Sequence, residues 1–241
     1  MKFETLKTLS EALNLLINKS INEEGREVVL DGAINLEKYA NSKIKIMWIL
    51  KEPYDELDGK GGGFSISEFI KEDVAYTEFV KNYPTWHVLT YISYGILNNF
   101  TKWSQMDSLK DNPKMTNALL EIALINTQKL PSLNHSTTNF KDIENSFKKY
   151  KDLLSAQIEL LNPDVIIGGN TMSLYVDLFG LRDSEVKKNG SLQYWEKGDK
   201  LYIDAYHPAI RKNRGQYVDE IITSVENWNK PKSTLFVKNN S

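Results

Sequence analysis

KIKIMWIL at 43–50 runs directly into Lys51-Glu52-Pro53-Tyr54, and that junction sets the reading of the chain. A short, unbroken apolar run rich in isoleucine and closed by a turn fits a strand buried on both faces. Three further runs repeat the plan. EIALI at 121–125 stops on Asn126-Thr127-Gln128-Lys129, DVII at 164–167 on Gly168-Gly169-Asn170, and LYIDA at 201–205 on Tyr206-His207-Pro208. Helical patterns lie between them, so the runs read as parallel strands joined by crossovers. In such a sheet the carboxyl ends of the strands share one edge, where α/β folds place their ligand crevice. A carboxylate, an amide, a glycine pair and a histidine are therefore expected along one edge.

The stretches between the strands carry their own periods. Leu6, Leu9, Leu13 and Leu16 place an amphipathic helix within 3–18, and 86–100 is an apolar-rich helical stretch ahead of a break at Asn112-Pro113. Phe140, Ile143, Phe147, Tyr150, Leu154, Ile158 and Leu161 keep a three-to-four spacing up to Asn162-Pro163. Further helices are expected at 171–179, ended by Gly180, and at 215–229; 193–196 reads as an extra strand beside 201–205. DELDGKGGG at 55–63 is a loop by composition, its glycines serving flexibility or a close backbone approach to a ligand. The expected architecture is α/β: a three-layer α/β/α sandwich around a central, mainly parallel four-stranded sheet. It forms one domain over 1–230, with a C-terminal tail at 231–241.

Composition removes several function classes. The chain has no cysteine, which excludes disulfides, thiolate nucleophiles, zinc–thiolate sites and cysteine-ligated iron–sulfur clusters. His87, His135 and His207 are scattered without metal-ligand spacing, and no cofactor is expected; His135 reads as a loop residue. No apolar run is long enough to span a bilayer, and acids interrupt the first apolar stretch, so a cytoplasmic location away from membranes is the expectation. Lys+Arg 30 against Asp+Glu 32 leaves a net charge of −2, without the basic surplus that advertises a duplex binder. Local basic clusters remain at Lys187-Lys188 and at Arg211-Lys212-Asn213-Arg214, directly after the histidine.

Each strand end alone is weak. A glutamate before proline is usually a solvated acid, a lone asparagine caps turns, and a histidine before proline is more often structural than catalytic. Gly168-Gly169-Asn170 is too short for a phosphate loop, and no GxxxxGK occurs. Their order carries more. KEPY, GGGFS, INT, NPDVIIGGN and YHPAIRKNR, taken in sequence over about 44–222, resemble the uracil-DNA glycosylase superfamily.

The resemblance implies a role for each motif. Lys51-Glu52-Pro53-Tyr54 is similar to a water-activating Gln-Asp-Pro-Tyr motif, with glutamate in place of aspartate. Phe64 resembles the aromatic residue that stacks on the flipped base, and Asn126 the one that reads the pyrimidine edge. His207-Pro208-Ala209-Ile210-Arg211 resembles the segment that supplies the leaving-group electrophile and a wedge entering the duplex. On this reading Glu52 orients a water and stabilises the sugar cation, with Asp55 as the backup carboxylate. A neutral His207 would donate to the departing base. Asn126 would meet uracil N3–H and O4, Phe64 would stack, and Tyr54 would exclude a C5 methyl. Ile210 or Arg211 would fill the vacated space, while Arg211, Lys212 and Arg214 grip phosphates. Leu50 and Lys51 stand where the family has glycine, and Ala209 where it commonly has serine.

The leading expectation is a monofunctional, monomeric DNA N-glycosylase. It would hydrolyse the bond to uracil or another deaminated base in single- or double-stranded DNA, as in base excision repair. Two alternatives stay open: a family member that binds a base, nucleotide or single-stranded DNA without turnover, and an N-glycosidase of small nucleosides or nucleotides.

Overall fold

The computed structural model describes residues 2–21, 26–53, 61–70, 80, 83–132, 138–210 and 212–230. The runs expected as strands form β2 (Ile46–Leu50), β3 (Ala123–Asn126), β4 (Val165–Gly169) and β7 (Lys200–Ala205). They lie side by side in the order β3-β2-β4-β7, every neighbouring pair parallel. The expectation of a four-stranded sheet is corrected: among the described residues the sheet has seven strands and is mixed. β1 (Gly32–Ala33) adds to β3 in the antiparallel sense, and β6 (Leu192–Lys197) and β5 (Lys187–Asn189) extend the β7 side as an antiparallel meander. These added strands are short, polar or alternating, because they lie toward the rims and need no unbroken apolar run. The strand expected at 193–196 is β6, which turns into β7 over Gly198 at φ 62°.

Alternation along β2 sorts its side chains onto two cores. Ile46, Trp48 and Leu50 join a cluster that includes Leu89 and Ile92 of a helix at Pro84–Leu97 and Ile221 and Val225 of the last helix, Arg214–Asn229. Met47 and Ile49 join a second cluster, with Phe147, Leu154 and Ile158 of a helix at Phe140–Leu161 and Tyr175 of a short helix at Met172–Tyr175. Burial on both faces is why β2 reads as uninterrupted hydrophobic sequence.

Helix ends follow local chemistry. The Asn139 side chain accepts from the Lys141 N–H to start the long helix, and Asn162 ends it in the left-handed conformation at φ 43° ahead of Pro163. The first helix runs Phe3–Ser20. The helix expected at 171–179 is limited to Met172–Tyr175 and continues as turns to Gly180. No helix among the described residues is long and apolar enough to cross a membrane.

Candidate active site

Parallel pairing brings the carboxyl ends of β3, β2, β4 and β7 into line, with Leu50 in register with Asn126. The chain stays tied together past those ends. Thr127 and Gln128 donate their backbone N–H groups to the carbonyls of Leu50 and Lys51, both at 2.8 Å, and Ser132 N–H donates to Pro53 at 3.0 Å. Lys51-Glu52-Pro53 therefore runs as a fixed rail beside the segment that follows β3.

Glu52 sits on this rail with 8% of its surface exposed. Its Oε1 accepts from Thr138 Oγ1 at 2.6 Å, and the same hydroxyl accepts from Lys51 Nζ at 2.8 Å. Its Oε2 is buried and has no hydrogen-bond partner among the described residues. Burial raises the carboxyl above its ordinary range, while the Thr138 hydrogen bond and the Lys51 charge pull the other way. A buried carboxylate with one committed and one uncommitted oxygen is costly to folding.

His207 follows β7. Its Nδ1 accepts from the Ala209 backbone N–H at 3.2 Å, so the proton of the neutral ring belongs on Nε2. Burial, with the Lys51 cation behind it, pushes the imidazole down to about 4, so it is neutral at physiological pH. Lys51 thus acts electrostatically on both Glu52 and His207.

Gly169, at the end of the intervening strand β4, lets these two ends approach. A Cβ there would lie 2.7 Å from Leu50 Cδ2, 3.3 Å from Pro208 Cδ and 3.7 Å from His207 Cα. Gly168 is needed for another reason, since its Cβ would lie 2.7 Å from Met172 N in the tight strand-to-helix turn. Thr171 Oγ1 donates to Ile49 O at 2.7 Å and Asn170 N–H to Ala205 O at 2.8 Å, pinning that turn to both neighbouring strands.

No protein-family model matches this chain, and no curated protein matches it. The site rests on its own geometry.

Asn126 is buried at the end of β3, and its backbone N–H donates to Asp31 Oδ2 at 2.7 Å. Asp31 Oδ1 in turn pairs with Lys129 Nζ at 2.6 Å and accepts from Gln157 Nε2 at 3.0 Å. Gln157 Oε1 accepts a second bond from Lys129, at 2.8 Å. This buried network fixes the backbone at the asparagine. Asp31 and Gln157 were not singled out by the sequence, and Lys129 stood only as part of the polar stop after the β3 run.

The three glycines before Phe64 all take positive φ, and a Cβ on Gly62 would lie 2.0 Å from the Glu27 carbonyl. They lay the loop against residues 27–30 of the same chain, where Gly63 N–H donates to Val28 O and Leu30 N–H to Phe64 O. The close approach is to the protein itself, to the Glu27 backbone at Gly62 and to the Glu27 side chain at Gly63. Phe64 is partly buried against the larger core and lines a cavity of about 410 Å³ with Val28, Leu30 and Ile21.

Past His207, Ile210 is partly buried against the larger core. Arg214 turns Nε back onto the Ile210 carbonyl at 2.9 Å, and Lys212 is exposed. Tyr54, Asp55, Arg211 and His135 lie outside the described residues. His87 packs among aromatic rings, 5.0 Å from Tyr91 and 6.3 Å from Trp103 between centroids. No group of His, Cys, Asp and Glu among the described residues is arranged to hold a metal.

Proposed function

We propose that the chain hydrolyses an N-glycosidic bond to a pyrimidine, with uracil in DNA as the leading substrate. The observation that carries this reading is a pairing at one sheet edge. Glu52 offers a buried carboxylate oxygen without a partner among the described residues, and His207 is held as a neutral Nε2–H donor. The mainly parallel centre of the sheet, with helices to either face as a three-layer α/β/α arrangement, belongs to the same reading.

Bond cleavage builds positive charge at C1′ of the sugar and negative charge on the departing base. Glu52 Oε2 faces the first need: it stabilises the cation and accepts a proton from the water that adds to C1′. His207 Nε2–H faces the second, donating to the base oxygen on which charge develops and remaining neutral itself. The base leaves with the electron pair of the broken bond and takes its proton from solvent. Asn126 is the group for reading the pyrimidine edge, since its amide supplies both a donor and an acceptor. Phe64 is the candidate stacking ring, and Lys212 with Arg214 and Arg211 the phosphate contacts. The monofunctional, cofactor-free, monomeric enzyme expected from sequence is retained in this reading.

The test is release of free base from oligonucleotides carrying uracil, hypoxanthine or xanthine, single- and double-stranded. Release from uracil that falls about 100-fold or more in His207→Ala and Glu52→Gln supports the assignment. No release at high enzyme concentration defeats it. One observation favours a smaller substrate: Arg214 Nε is spent on the Ile210 carbonyl and Ile210 packs on the core, which weakens the grip on a duplex. Turnover of free deoxyuridine in place of the oligonucleotide would select that second reading.

A further inference from the structure

We propose that Lys51 and Thr138 are positioning residues that orient the Glu52 carboxylate and keep it ionised, an inference that rests on Glu52 being the water-directing group. Three side-chain groups form a directed chain: Lys51 Nζ donates to Thr138 Oγ1 at 2.8 Å, and Thr138 Oγ1 donates to Glu52 Oε1 at 2.6 Å. A hydroxyl has one proton to give. Because the lysine can only donate, the hydroxyl's proton is committed to the carboxylate.

The geometry has two consequences. First, Oε1 is occupied, so Oε2 is the oxygen left for a water or a sugar cation. An ångström of misplacement at such a group costs about 100-fold in rate, and the short Thr138 bond removes the rotation that would allow it. Second, the burial that shields the site also favours the protonated, inactive acid. The hydrogen bond and the lysine charge oppose that, and Lys51 is the charge that acts on Glu52 among the described residues. Lys51 also acts on His207, where its cation favours the neutral ring. One lysine therefore holds the acid charged and the histidine uncharged, the pair of states the chemistry requires.

The experiment uses the full chain in four forms: wild type, Thr138→Val, Thr138→Ser and Lys51→Met. Two readouts are taken, the pH profile of base release and the titration of the Glu52 carboxyl by carbon NMR on glutamate-labelled protein, assigned with Glu52→Gln. Removing either partner is expected to raise the Glu52 titration and to move the acid limb of kcat to higher pH. Thr138→Val should lose roughly 100-fold in kcat with KM little changed, and Thr138→Ser should restore both readouts. The inference is overturned if Thr138→Val and Lys51→Met leave the carboxyl titration where it stands in wild type. If wild type releases no base at all, the glycosidase reading falls, while the titration still decides the positioning role. A Thr138→Val chain that fails to fold leaves the decision to Lys51→Met, whose side chain is partly exposed.

Discussion

Replacing Lys129 with methionine tests whether the buried network beneath Asn126 is held by charge. Lys129 and Asp31 side chains are 3% and 0% exposed, and their charged atoms lie 2.6 Å apart. Burial pushes the ammonium below the usual lysine range, with Asp31 pulling the other way, so desolvation is the larger effect on this group. Lys129→Met would leave the Asp31 carboxylate with donors from Gln157 at 3.0 Å and the Asn126 backbone at 2.7 Å, but no counter-charge. Breaking one side of a buried ion pair costs about 3–5 kcal/mol. For a chain of this size that lowers Tm by roughly 6–20 °C. Removing both charges, as Asp31→Asn with Lys129→Met, keeps an oxygen to accept from Asn126 and discards both desolvation penalties. The double variant should therefore lie closer to wild type than Lys129→Met does. Urea melts followed by circular dichroism at pH 7 give the four corners of the cycle. A loss below about 1 kcal/mol in Lys129→Met, or a double variant no more stable than that single, would refute the argument.

Glu52→Gln removes a buried charge whose carboxyl is raised by desolvation; above that raised value the ionised acid weighs against folding. The variant should melt higher than wild type at pH 7 while losing base release, and a lower Tm would contradict this account of the site. His207, held at about 4 against an ordinary 6.5, binds fewer protons folded than unfolded between those values. Stability attached to it is present above about pH 6.5 and is lost as pH falls toward 4, by up to about 3 kcal/mol. The dependence should flatten in His207→Gln when ΔG is measured across that window. Gly168→Ala drives a methyl into the backbone of Met172, where no flexible side-chain end can yield. It should cost about 1–3 kcal/mol in a denaturant melt.

What the sequence disclosed follows from how each feature is encoded. β2, β3 and β4 were legible because burial on both faces demands unbroken apolar runs, β7 because it is apolar but for Lys200 and Asp204, and each run met a polar stop at the sheet edge. β1 and β5 were not, since two and three residues held by register against a neighbour leave no pattern of their own. Glu52 and His207 stood out as polar residues at strand ends beside prolines. The partner of Glu52 and the buried pair beneath Asn126 did not: Thr138 is 86 residues from Glu52, and Lys129 is 98 from Asp31, separations that only the fold closes. The glycines at 61–63 were visible, but sequence alone could not say that the surface they approach is the chain at 27–28.

The departure at Leu50 and Lys51 weighs differently once the backbone is in view. Neither residue takes a positive φ, so this strand end does not demand glycine for its conformation. Both carbonyls are already engaged by Thr127 and Gln128, which leaves the side chains as the only new elements there. Leu50 reaches toward Gly169, which has no side chain to displace. Lys51 turns to Thr138 and adds a cation whose charge acts on both the acid and the histidine. Position 52 carries glutamate where the motif it resembles has aspartate, an arm longer by one methylene, and Thr138 is what holds it. The two changes are coupled through one hydroxyl. Shortening Glu52 to aspartate alone should therefore reduce base release rather than improve it, because it withdraws the carboxylate from Thr138. If Glu52→Asp matches or exceeds wild type, the coupling is wrong and the lysine is incidental.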